Sequence, residues 1–63
     1  MITSVDRAID VVMLIARSDQ PDMGVTEIAR ELDLSKAVVH RLLVTLVGRG
    51  FVTVQQDTRR YRL

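Results

Sequence analysis

From Val5 onward apolar residues return every three or four positions, at Val5, Ala8, Ile9, Val12, Ile15 and Ala16, with Asp6, Arg7, Asp10 and Arg17 among them. That spacing predicts an amphipathic helix over about 4–17. Thr3 with Asp6 three residues on has the form of a capping box at its start. The core stripe reads as Val5, Ala8, Ile9, Val12 and Ala16, which leaves Leu14 on the opposite side and Val11 on the flank. Pro21, Gly24 and two aspartates then interrupt the pattern and predict a loop over 18–24. Thr26 is the next N-cap candidate, with Glu27 where a helix dipole favours an anion, so a short second helix is expected over about 27–32. Ser35 caps a third, over about 36–47, whose apolar side is Val39, Leu42, Leu43 and Leu46. Gly48 and Gly50 end it. Phe51–Val54 is β-prone, and Arg60–Leu63 lies across a polar turn from it, so the last segment, about 51–63, reads as a hairpin.

Helix, two closely joined helices, then a hairpin is the order of a winged helix-turn-helix. The expected fold class is therefore mainly α with a small β-hairpin, in one domain over 1–63. A chain of 63 residues buries only roughly 60% of its unfolded surface, so its core is marginal. With no cysteine, disulfides and thiolate metal sites are excluded together, and a partner subunit is the remaining support. The longest apolar run, Val11–Ala16, is too short to span a bilayer, and no basic segment with a cleavage site precedes it. A cytoplasmic protein without membrane association is the expectation.

Charge sharpens the picture through its distribution. Residues 1–34 carry three basic and seven acidic side chains, net −4, whereas 35–63 carry six basic and one acidic, net +5, which restores the overall +1. One basic half on a near-neutral chain is the footprint of a module presenting one face to a polyanion.

On a helical wheel of the third helix, Lys36, Ala37, His40, Arg41, Val44 and Thr45 spread over the side opposite the apolar stripe. A DNA major groove about 12 Å wide admits one helix, whose N-terminal part reaches the base edges. Arg41 suits a bidentate contact to guanine, His40 can donate or accept, and Ala37 and Val44 suit thymine methyls. Thr26 and Ser35, each at a helix start, are candidates for phosphate contact, although capping explains their hydroxyls equally well. In the hairpin, Arg59, Arg60 and Arg62 are candidates for phosphate or minor-groove contact, though strand alternation keeps all three from touching DNA together. Tyr61 is carried among the wing candidates, with packing of Tyr61 and Phe51 onto the helices as the competing role.

Val11 and Leu14, as a second apolar edge on the first helix, are the candidate homodimer contact. Against catalysis stand a single histidine, no cysteine, no phosphate-binding loop and no paired carboxylates. No cofactor, metal or small-molecule ligand is expected, because His40 alone cannot build a site. The expected partner is double-stranded DNA; the rival reading is a winged helix that binds protein through the same face.

Three stretches, Ser4–Ala16, Val25–Val52 and Thr58–Leu63, together resemble the N-terminal DNA-binding domain of the IclR family of bacterial transcription regulators. Lys36, Val39, His40, Arg41, Leu42, Leu43, Thr45 and Leu46 match the family pattern in the recognition helix. Ala37 and Val38 stand where the family has two hydroxyl residues, which implies a different operator sequence; both remain candidate contact positions. Asp33 stands for a turn glycine and Arg59 for a wing glycine. Asp tolerates the left-handed conformation, so the turn is expected to survive. The family continues into a linker helix and an effector-binding domain, so the resemblance implies either a chain cut at the domain boundary or a stand-alone reader.

Overall fold

Five elements follow one another in the computed structural model, which describes residues 2–63: α1 (Thr3–Arg17), α2 (Val25–Leu32), α3 (Lys36–Gly48), β1 (Thr53–Gln55) and β2 (Arg60–Arg62). The three expected helices and the hairpin are all present, in the order of a winged helix-turn-helix.

The helix starts differ from the sequence reading. α1 begins at Thr3 itself, after an Ile2 cap without a side-chain hydrogen bond, so Thr3 and Asp6 form no capping box. α2 begins two residues early, capped by Gly24, which places Thr26 inside the first turn. Glu27, three residues on, caps this start instead, its carboxylate accepting from the Gly24 N–H at 3.2 Å. Ser35 caps α3 as expected, its hydroxyl accepting from Val38 N–H at 3.1 Å.

The exits of α2 and α3 each close on a left-handed residue. Asp33 has φ 55°, and its neighbour Leu34 donates back to the Ala29 carbonyl at 3.0 Å, the wrap-around bond of a Schellman ending. The aspartate does what the family's turn glycine would do. At the far end of α3, Gly50 has φ 84°, and Phe51 donates to Leu46 O at 2.9 Å.

The hairpin is shorter than expected. Its register is Thr53↔Arg62, Val54↔Tyr61 and Gln55↔Arg60, with the turn over 56–59. Phe51 lies outside the strand. A third partner is Met23, which exchanges two backbone bonds with Tyr61, at 2.9 and 2.8 Å, on the free edge of β2. Strands of three residues are marginal by themselves, and this bridge ties them to the α1–α2 loop.

The core gathers Val11, Ile15, Met23, Ile28, Ala29, Val39, Leu43, Leu46, Val52 and Tyr61. The seam of α3 agrees with its wheel. That of α1 does not: Val11 is 0% exposed, whereas Val5 and Ile9 are more than half exposed and Ala16 faces outward. Apolar residues occupy most of the circumference of α1, so period alone cannot choose a buried side. α2, α3 and β2, all packed against α1, select the arc centred on Val11 and Ile15. A dimer contact through Val11 is thereby excluded, since its side chain is enclosed, and Leu14 is half-buried against the same core.

One pair of substitutions tests this rotation. Ile15→Ala should cost about 2–5 kcal/mol, while Ile9→Ala, the same change on the exposed side, should cost under about 1 kcal/mol. Urea unfolding of both variants, at concentrations where the chain is monomeric, measures the difference.

Candidate nucleic-acid interface

α3 sorts its side chains into two arcs because Val39, Leu43 and Leu46 are buried against α1 and α2. The outward arc holds Lys36, Ala37, His40, Arg41, Val44 and Thr45, all exposed, with Val38 half-buried at its edge. By wheel position Ala37, Arg41 and Val44 occupy the centre of that arc, His40 and Thr45 its sides. Arg41 makes no ion pair among the described residues. The Thr45 hydroxyl donates to the Arg41 carbonyl at 3.1 Å, and its side chain lines the groove towards α1, so it sits at the margin of the face.

Thr26, Ser35 and Lys36, predicted separately, line one shallow cleft with Arg30 and Asp33, between the start of α2 and the start of α3. The geometry brings two helix N-termini, two hydroxyls and one ammonium group to one place. The Ser35 oxygen is already engaged as a cap, so phosphate contact there falls to the backbone amides, the Thr26 hydroxyl and Lys36.

The wing divides its candidates. Arg59 closes the turn in the left-handed region, φ 57°, its N–H bonded to Gln55 O at 2.8 Å, with its side chain exposed. Arg62 is exposed as well. Tyr61 is 6% exposed and belongs to the core, so its ring cannot stack on a base. Strand alternation turned Tyr61 inward and put Arg60 and Arg62 on the opposite face, where Arg62 is exposed and Arg60 half-buried.

Arg60 differs from the other arginines. Its Nε donates to Asp22 Oδ1 at 2.6 Å and its Nη1 meets Glu27 Oε1 at 2.7 Å. Nη2 donates to the Asp22 carbonyl at 3.1 Å and to Gln20 Oε1 at 3.2 Å. A candidate DNA contact from the sequence is thus committed within the protein. The Arg60 guanidinium, and then the Gly24 N–H, hold the Glu27 carboxyl below its ordinary value of 4.5. Sequence reasoning missed Gln20, Asp22 and Glu27 as partners; the only signal for them was the acid surplus of the first half.

It also missed an apolar groove between α1 and α3, lined by Val5, Ile9, Met13, Leu42 and Leu46 with Phe51 at its edge. Phe51, expected to pack the hairpin, is 65% exposed there. Its position just after the Gly50 turn carries it out of the strand ladder.

A helix-turn-helix with an outward, partly cationic second helix and a following hairpin defines the winged helix-turn-helix class of DNA-binding domains. Residues 4–56 match the IclR helix-turn-helix domain, and the chain belongs to that family, the DNA-binding domains of transcriptional regulators. It is 40% identical over 62 residues to the HTH-type transcriptional regulator BhcR of Paracoccus denitrificans (strain Pd 1222), covering 98% of this chain and 22% of that protein. The crystal structure of an IclR-type transcriptional regulator from Alicyclobacillus acidocaldarius superposes with a TM-score of 0.94 at 35% identity, over 100% of this chain and 25% of that one. The chain therefore spans about a quarter of the length of each of these relatives. Among the described residues no helix is long and apolar enough to cross a membrane.

The Glu27 contacts imply an acid dependence. A carboxyl held below its ordinary value when folded contributes stability that is full above that value, 4.5, and is lost as pH falls through the folded value. Thermal melts from pH 7 to about pH 3 should show Glu27→Gln less stable than the parent at neutral pH. The gap should close towards acid; a gap independent of pH would contradict the assignment.

Proposed function

We propose that this domain binds double-stranded DNA in a sequence-specific way as the reading module of a transcription regulator, with α3 in the major groove and the wing on the adjacent backbone or minor groove. The observation that carries the reading is the outward arc of α3, which holds Lys36, His40 and Arg41 around Ala37 and Val44, all exposed beside a dry core seam. Arg41, at the centre of that arc, is the guanine reader; Ala37 and Val44 meet thymine methyls, and His40 supplies an adaptable donor or acceptor. Lys36, Thr26 and the two helix starts hold phosphate. Val38 and Thr45 border the face, and Arg59 and Arg62 supply the wing's contacts. A cytoplasmic setting and a non-catalytic role follow from the same reading.

We further propose that the domain works as a homodimer, with the contact moved to the face the fold leaves bare. Val5, Ile9 and Met13 on α1 and Phe51 beside them form a continuous apolar surface on a chain whose own core is small. A two-fold pairing of that surface would present two reading helices to half-sites about 34 Å apart.

Selection of bound duplexes from a random pool gives the site, its symmetry and its spacing. On that site Arg41→Ala should lower binding by about 1–3 kcal/mol and relax one base position, whereas Arg59→Ala should weaken all sequences alike. Binding should fall with salt at a slope near −0.9 per neutralised phosphate; a slope near zero would favour a protein partner on this face. Ile9→Glu should abolish the paired footprint and the dimer peak in sedimentation, and a wild type that sediments as a monomer on its operator would remove the dimer.

A further inference from the structure

Arg60 opens β2, one residue after the left-handed Arg59 that closes the wing turn. All three nitrogens of its guanidinium are engaged, with four protein acceptors drawn from Gln20, Asp22 and Glu27. Two carboxylates face this one cation, so its charge is balanced within the protein and is not free to pair with phosphate. Withdrawing Arg60 to serve a nucleic acid would leave Asp22 and Glu27 unbalanced beside it. At the same time Glu27 accepts from the Gly24 N–H, which starts α2, and Met23 is laddered to Tyr61. Side chain and backbone thus join the wing, the α1–α2 loop and the first turn of α2 at one point.

We infer that Arg60 is the positioning residue of the wing: by clamping β2 to Asp22 and Glu27 it sets where Arg59 and Arg62 stand relative to the helix-turn-helix, and it touches no DNA itself. The inference rests on the DNA-binding reading above for its consequence, although the clamp is a property of the free domain. A hairpin of two three-residue strands has little rigidity of its own, and its exposed turn holds a non-glycine residue, Arg59, in the strained left-handed region. A guanidinium spreads five N–H donors over three nitrogens, enough for these four separated acceptors; an ammonium group has three donors on a single nitrogen and cannot meet them all.

The test has two arms. In the first, the duplex selected from the random pool is titrated with the full chain and with Arg59→Ala, Arg60→Ala, Arg60→Lys and the double Arg59→Ala/Arg60→Ala variant, well below their melting temperatures. Arg60→Ala should weaken binding at least as much as Arg59→Ala, Arg60→Lys should behave like Arg60→Ala, and the double variant should be no weaker than Arg60→Ala alone. Fold-losses that multiply, or full binding by Arg60→Lys, would make Arg60 an independent cationic contact and overturn the inference. The second arm needs no DNA. Amide exchange at Met23 and Tyr61 should accelerate in Arg60→Ala while that of Leu43 in the core does not, and Asp22→Asn with Glu27→Gln, which leave Arg60 in place, should reproduce the pattern. Unchanged exchange at Met23 and Tyr61 would overturn the clamp. A wild type that binds no duplex would sink the DNA-binding reading, and the exchange arm would still decide the clamp.

Discussion

Burial of the inner seam of α3 is the constraint on which the remaining structure hangs. Val39 and Leu43 are fully enclosed, as are Val11 of α1 and Ile28 of α2, and Leu46 is nearly so. Enclosing an aliphatic side chain of this size contributes about 1.5–3 kcal/mol, so in a domain this small few other forces compete for the orientation of α3. Once that seam is seated, the opposite arc has no choice but to face solvent. The proposed recognition face is the remainder of the packing problem, which is why a cationic surface can be carried at little cost in stability.

The wing is held by a different kind of force. Its strands bury only Tyr61, with Val54 half-buried, so apolar packing alone leaves it loosely specified. Backbone pairing with Met23 and the ion pairs of Arg60 supply the missing order. Both carboxylates are about one-third exposed, where ion pairs contribute modestly and are screened by salt; their value here lies in geometry. The consequence for charge is that one arginine of the basic half is spent inside the protein, and part of the acidic half is spent neutralising it. The segregation visible along the chain is therefore partly an internal pairing and only partly a field directed outward.

α1 shows what a small domain does with more apolar surface than its core accommodates. One arc closes on α2, α3 and β2; the other, through Val5, Ile9 and Met13, stays bare beside Leu42 and Phe51. Apolar area left in water by a chain with so little interior is where the proposed second subunit would pack, and it lies on the helix behind α3.

How far the chain could be read in advance depended on whether local chemistry or distant contacts made the decision. Ser35, the run Val39, Leu42, Leu43 and Leu46, and the left-handed tolerance of Asp33 are local signals, and α3 with its outward residues followed from them correctly. The starts of α1 and α2 were misplaced by Thr3 and Thr26, good capping residues that lost to Ile2 and Gly24 because a cap is set by where the chain enters, not by side-chain preference alone. Which side of α1 is buried had no local answer, since nearly its whole circumference is apolar; neighbouring elements chose Val11 and Ile15 over Val5 and Ile9. Arg60, Tyr61 and Phe51 could not be assigned for the same reason. Their roles depend on register and on partners up to 40 positions away, information that sequence spacing does not carry. By itself the sequence determined the elements, their order and the outward face of α3, because period and caps act within a few residues. Only tertiary structure decided the buried side of the first helix, the bare groove and the clamped arginine, because those are settled by what each segment meets.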